Sequence, residues 1–520
     1  MNGSAHSETM TVARNVSTRY LAIAVEMVVG LVVLPYNIAH LGKSAYGLWI
    51  LTASITSYFS VLDLGYSGAL VKFVAQYRAK HDTRSLNEVL STTFFLFAGL
   101  GAIGYGVVLL LSANLQRFFH LSPDQIATGR IVLLVTSLNV VIGMAFGVFG
   151  AVINGFQRYD LNNIAGAASS IVSAIANVAA LALGGGLISV VVATTTVRLL
   201  TYLVYRANAY HVFPALSIRL RFFTRARVRE LTGFSVYMSA IDWANKINYS
   251  VDALVIGAYL NTTAVAVWSV GQRLAEATQR LTNQLNDVLF PNVVDHDASQ
   301  RREQLRAMFL VATRLSLATV IPIGGVLMLM AEPLVFAWVG PGFAASVLIV
   351  QLLSLTVIIR VGNAMAGTLL KGAGRHRLVA CTNVLAAIAN LTLSIALVKP
   401  MGLAGVAIGT LIPVTLVSLF VIFPAACRRV EVTVAHALRD AVWPAVWPAA
   451  PMAAYVVVTR PFIGGSLPAV GADMIGATLV YAAVFVAFGL TAAERQFFTS
   501  RLSTLLTRAG VLTPRMTEGA

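Results

Sequence analysis

Arg273, Glu276, Arg280, Asn283, Gln284 and Asp287 share one face of a helix, since at 100° per residue they fall within roughly 100° of arc. Val267, Ala275 and Leu285 take the opposite face. Guanidinium groups carry fixed charge and paired donors that match the oxygens of a phosphate or carboxylate. Glu276 stands three residues from Arg273 and four from Arg280, so the same stripe can also neutralise itself. The helix lies within an apolar stretch, 264–290, between hydrophobic neighbours. Its polar face must therefore meet protein interior or water.

Ionisable residues inside membrane spans are expensive and mark function by default. Here they gather on a few helices: Glu26 on the first span, Asp63 on the second, Asp242, Lys246 and Asp252 on the seventh, and the stripe on the eighth. Arg198, Arg314 and Arg360 also lie within spans, and Arg314 is expected to snorkel to the interface. Thr56, Ser60, Asp63 and Ser67, spaced four, three and four apart, give span two a polar stripe of its own. Arg273, Arg280 and Lys246 are the candidates for an anionic headgroup. Glu26, Asp63, Asp242 and Glu276 are candidates for coupling or charge balance. Asp242 with Lys246 is also a self-neutralising i,i+4 pair.

Such residues need a membrane frame, and the composition supplies one. Of 520 residues 58% are apolar and 11% charged, and mean hydropathy is +0.78, against about 25% charged in soluble domains. Segments long enough to cross about 30 Å of hydrocarbon read at 16–39, 45–72, 88–112, 127–153, 162–183, 186–205, 231–258, 264–290, 307–330, 345–370, 377–397, 400–424, 441–458 and 472–490. The expected fold is an all-α integral membrane protein of about fourteen transmembrane helices. The leader Met1 to Ala13 has no cleavage pattern and reads as retained. Pro35, Pro322 and Pro413 are expected to bend their spans.

With the amino terminus inside, 26 of the 37 Lys and Arg residues fall on inner segments, among them Arg219, Arg221, Arg225, Arg227 and Arg229, and five on outer loops. Positive charge collects inside, so both termini are expected in the cytoplasm. The net charge of +16 then reflects topology and attraction to anionic inner-leaflet lipid rather than to nucleic acid. Two cysteines without a paired-cysteine motif or histidine cluster exclude a disulfide framework and a metal site. No Gly-rich phosphate loop followed by Lys-Ser or Lys-Thr is present, so ATP hydrolysis and cofactors are not expected.

The two halves repeat at an offset of about 213 to 219 residues. Leu41, Ala45 and Trp49 match Leu260, Ala264 and Trp268; NGFQRYDL from Asn154 matches KGAGRHRL from Lys371; AIAN recurs at Ala174 and Ala387. Six helices separate the copies, an even number, so they enter the membrane in the same direction and read as two lobes about an axis along the membrane normal. The organisation expected is an N-lobe over 1–205, a basic cytoplasmic linker over 206–230, a C-lobe over 231–424, and two further spans with a cytoplasmic tail over 425–520.

The run LGKSAYGLWILTASITSYFSVLDLGYSGALVKFVA from Leu41, INGFQRYDL from Ile153 and VDALVIGAYLNTTAVAVWSVGQRL from Val251 resemble bacterial polysaccharide-export flippases (Wzx-like) of the multidrug/oligosaccharidyl-lipid/polysaccharide superfamily. The resemblance covers most of residues 10 to 430. It implies two six-helix lobes around a cavity lined by spans one, two, seven and eight. It also implies movement of an undecaprenyl-pyrophosphate-linked oligosaccharide from the inner to the outer leaflet of the cytoplasmic membrane, by alternating access and alongside other polysaccharide-assembly membrane proteins. The alternatives are a peptidoglycan lipid-precursor flippase, an ion-coupled multidrug exporter of the same superfamily, and a membrane glycosyltransferase or polymerase. Arg and Lys in the expected cavity disfavour cationic drugs. Short outer loops, with only Asp124 and Glu332 clearly acidic, disfavour an enzyme.

Overall fold

The computed structural model describes residues 2–232, 251–299, 301–490 and 494–495, and of residues 2–13, 16, 60, 61 and 283–298 the backbone alone. The described residues are helical throughout, without a strand. Ten stretches are long and apolar enough to span a membrane, and two of these, Ser17–Ser57 and His376–Arg429, each hold a pair of spans. The pairs turn at Gly42 (φ 76°) and Gly402 (φ 59°), left-handed positions that favour glycine. The helix Thr262–Ala298 covers the expected span eight, and of the expected span seven, 231–258, the described residues 231–232 and 251–258 are helical while the rest lies outside the described residues. Pro35, Pro322 and Pro413 lie within continuous helices. The sharp turns belong to the glycines.

Span two departs from a regular helix. Its α-helix ends at Ser57, a 3₁₀ segment follows over Tyr58–Asp63, and a new helix starts at Tyr66 after Leu64 (φ 49°) and Gly65 (φ 73°). The polar stripe expected from Thr56 to Ser67 is therefore broken. Asp63 accepts hydrogen bonds from the Ser67 backbone N–H at 3.0 Å and hydroxyl at 2.8 Å, capping the second piece. Thr56 is buried and donates to its own helix at Ala53.

The internal repeat extends to the backbone. In the first copy the N–H groups of Gln157 and Arg158 donate to Asn154 and Ile153; 217 residues on, those of Gly374 and Arg375 donate to Lys371 and Leu370. Gln157 (φ 62°) and Gly374 (φ 75°) occupy the same left-handed position. Gly184 and Gly402 likewise turn their copies with positive φ.

The chain forms two compact units, Met1–Arg273 with Ala380–Pro413, and Leu274–Val379 with Val414–Ala520. In the first, span four (Pro123–Gly155) packs against spans three and six, and span five against spans one and six. Leu90, Phe97, Phe149 and Val152 form part of the core at the basic end. In the second, span nine (Arg302–Leu329) is the hub, contacting span ten and both extra C-terminal spans. Arg314 does not snorkel: it is buried and pairs with Glu494, because the extra spans wall it off from lipid.

Gly47 marks the tightest approach in the first unit. A Cβ there would sit 1.7 Å from the Thr262 carbonyl oxygen and 3.2 Å from the Ala266 nitrogen. Ala266 is the repeat counterpart of Gly47, 219 residues on. Backbone cannot yield as a flexible side chain can, so Gly47→Ala should cost about 3 kcal/mol or more. Gly68→Ala, at a site open on all sides, should be neutral or slightly stabilising. Thermal unfolding of the two purified variants, followed by size-exclusion chromatography, checks the contrast.

Candidate functional site

The run from Leu41 builds one wall of the site. Gly42 turns the chain, and Ser44 then meets Gln125 and Thr262, with Gln125 donating to both hydroxyls. The Ser44 and Thr262 hydroxyl oxygens are 3.4 Å apart. The Tyr46 hydroxyl, almost fully buried, hydrogen-bonds Ser269 and Arg273 on span eight. Three consecutive contacts thus fasten the start of span two to the start of span eight.

Arg273 is exposed along its helix, whereas Val267, Leu274 and Ala275 on the other side are buried. Its guanidinium crosses span one at Gly30, with Nη1 only 3.7 Å from where a Cβ would stand. Glu26 lies one turn before Gly30 and is itself exposed. Its carboxylate is close enough to act electrostatically on the Tyr205 hydroxyl of span six, as does Arg198. Span one therefore presents an acid and, a turn later, a glycine under Arg273. The side chains of Arg198 and Arg273 are both exposed.

In the second unit, Arg280 is exposed and Glu276 half-buried, two turns and one turn beyond Arg273 on the same helix. Lys246 and Asp242 lie outside the described residues, as do the side chains of Asn283, Gln284 and Asp287. Asp63 is half-buried and engaged as the cap described above.

A second polar cluster is deeply buried. Thr410 Oγ1 lies 3.1 Å from Asp252 Oδ2, 3.4 Å from Asn390 Oδ1 and 3.2 Å from the Val406 carbonyl. The Ser394 hydroxyl is 3.0 Å from the same Asn390 oxygen and 3.5 Å from the same carbonyl. Two hydroxyl protons thus face three acceptor oxygens, one of them a carboxylate. An all-oxygen set with one negative charge suits a proton or a small hard cation, not a soft transition metal. Sequence reasoning picks out Asp252 but not its partners. Their one signal is the repeated AIAN, whose second copy ends at Asn390.

A family profile described as "Polysaccharide biosynthesis protein" matches residues 12–296, which takes in the Leu41 run and the stripe. The chain belongs to this family. Among curated relatives, it is 22% identical over 418 residues to the "Probable flippase AglR" of Haloferax volcanii, spanning 79% of this chain and 82% of that one. It is 20% identical over 310 residues to the "Putative O-antigen transporter" of Shigella flexneri, spanning 58% and 72%. Among solved structures, the lipid II flippase MurJ in an inward closed conformation superposes with a TM-score of 0.70 at 14% identity, covering 92% of this chain and 99% of that one. An inward-facing multidrug transporter of the MATE family gives 0.63 at 16%, covering 78% and 94%. At these identities the structural likeness speaks to fold. This family member therefore shares their all-helical fold.

Proposed function

We propose that the protein is a flippase that carries an undecaprenyl-pyrophosphate-linked oligosaccharide from the inner to the outer leaflet of the bacterial cytoplasmic membrane, for assembly of a surface polysaccharide. The observation that carries the reading is the accessible Arg273, held by Tyr46 and laid across Gly30 inside a membrane span. A sugar headgroup cannot cross hydrocarbon unaided, since each unpaired hydroxyl costs several kcal/mol and a diphosphate far more. Accessible guanidinium groups at membrane depth remove much of that cost for a diphosphate and would repel a cationic drug.

Both termini are placed in the cytoplasm, from which the substrate enters. Two lobes, built from the repeated halves, alternate access. Outward movement of about two negative charges is favoured by about 4–5 kcal/mol per 100 mV of inside-negative potential. Glu26 and Glu276 exchange charge with the arginines between substrates. Asp252, with Asn390 and Thr410, offers a separate place for a coupling proton or cation. Asp252→Asn should therefore lower transport at least tenfold and abolish its response to an imposed ion gradient, whereas an equal response in the variant would assign Asp252 to packing alone. The relatives named as a flippase and a transporter, with an outer surface poor in acids, favour transport over catalysis.

Depletion of the protein in its host tests the assignment. Accumulation of a diphosphate-linked oligosaccharide on the cytoplasmic side is expected. Accumulation of the peptidoglycan precursor instead would move the protein to the alternative substrate, and accumulation of neither would remove it from this pathway class.

A further inference from the structure

The linker after span six is strapped to span three. Asn87 donates to the Ala215 carbonyl at 2.9 Å and accepts from the Ser217 N–H at 2.9 Å. Ser91 donates to the Ser217 carbonyl and accepts from the Arg219 N–H, both at 3.2 Å. Thr92 does the same for Phe222 and Thr224, at 3.4 and 3.2 Å. Three polar side chains on a helix thereby satisfy backbone groups of an irregular segment. Leu216 is buried in the core beneath it.

The strap ends in a clamp. Arg227 donates to Glu230 at 2.7 Å, Ser85 at 2.6 Å, Glu88 at 3.3 Å and the Tyr77 hydroxyl at 2.5 Å, while Tyr77 donates to Glu230 at 2.7 Å. Burial acts to raise the Glu230 carboxyl, but the bonds from Arg227 and Tyr77 outweigh it and hold it below the usual carboxylate range. A lowered carboxylate stabilises above its unfolded pKa and is lost only as pH falls through the folded one, so the clamp is intact at neutral pH.

The clamp uses one arginine of five. Arg219, Arg221, Arg225 and Arg229 are exposed, and no carboxylate pairs with them among the described residues. Between them project Leu220, 68% exposed, and Phe223, 38% exposed. Depth follows from span three, Thr83–Ala113. Asn87, Ser91 and Thr92 lie roughly 6 to 14 Å from its start at 1.5 Å per residue. The apolar run begins just beyond, at Phe94, and its length to Leu111 is about that of the hydrocarbon core. The strap is thus held at the end of span three's apolar run, the depth at which lipid headgroups begin.

We propose that residues 219–225 form a docking surface for anionic phospholipid, with Arg219, Arg221 and Arg225 on headgroup phosphates and Leu220 and Phe223 seated in the acyl boundary. Charge complementarity and depth both favour a lipid surface over a protein partner. The inference stands apart from the flippase reading.

Native mass spectrometry of the full-length protein, titrated with phosphatidylglycerol and with phosphatidylcholine, tests it. The wild type should retain phosphatidylglycerol preferentially. At roughly fivefold in affinity per cation near an anionic surface, Arg219→Gln/Arg221→Gln/Arg225→Gln should weaken the tightest binding about 100-fold. The matched control Lys371→Gln/Arg375→Gln/Arg377→Gln, on an exposed loop, should leave it within about threefold. Equal losses in both variants would mean diffuse charge attraction and overturn the site. No preference for the anionic lipid would do the same and turn attention to an acidic protein. All six substitutions are at exposed positions, so both variants should fold, and matched unfolding temperatures verify this.

Discussion

A protein carrying Ser44→Cys and Thr262→Cys should lose at least nine-tenths of its transport when the two thiols are joined, and regain it on reduction. The native hydroxyl oxygens are 3.4 Å apart, and the Gly47 contact one turn along holds the two backbones together. Side-chain tips this close on two adjoining backbones are the kind of pair that a disulfide can join. The join lies where the start of span two meets the start of span eight. The alternating access proposed above requires that meeting point to open. Single cysteine variants lose only a hydroxyl contact and should stay active, and Cys381→Ser removes the one exposed native thiol among the described residues. Undiminished transport by the oxidised protein would show that spans two and eight do not part there.

The second large effect is expected at Arg273. Arg273→Ala removes a charge-assisted hydrogen-bonding group worth about 1.5–3 kcal/mol, so transport should fall by roughly 10- to 100-fold with expression and membrane insertion intact. Arg280→Ala should act in the same direction, and the double variant should be inactive. Arg273→Lys keeps charge but loses the planar fork, so partial activity is expected. Tyr46→Phe provides the discriminating comparison. It leaves the guanidinium in place without its anchor, and should slow transport severalfold while sparing stability. If the stripe served only to neutralise Glu276, Tyr46→Phe would be silent and Arg273→Ala would be offset by Glu276→Gln.

Much of this was legible because membrane solvation leaves few choices. Long apolar runs must be helices, and a face with Arg273 and Arg280 could not meet lipid. The repeat was readable from a handful of residues because Gly374 and Arg375 serve the same turn as Gln157 and Arg158. The break in span two was not. Its spacing of Thr56, Ser60, Asp63 and Ser67 fits one helix, and only Gly65 hints at a turn that Leu64 also joins. Periodicity records which face is polar, not where the backbone bonds end. Tyr46 and Gly47 stood inside the most family-specific run, yet their roles depend on the backbone of Thr262 and the side chain of Arg273, more than 200 residues away. The same holds for Arg314, whose burial is set by Glu494. The strap on span three was hidden for a similar reason. Asn87, Ser91 and Thr92 read as an ordinary polar helix start until the linker that they hold is seen beside them.

The most direct test is translocation by the purified protein in sealed vesicles containing an undecaprenyl-pyrophosphate-linked oligosaccharide, scored by access of an impermeant sugar-modifying reagent to each leaflet. Protein-dependent transfer, accelerated by an inside-negative potential and abolished by Arg273→Ala/Arg280→Ala, is the predicted result. No transfer of the diphosphate-linked substrate, with extrusion of a cationic dye from the same vesicles, would contradict it.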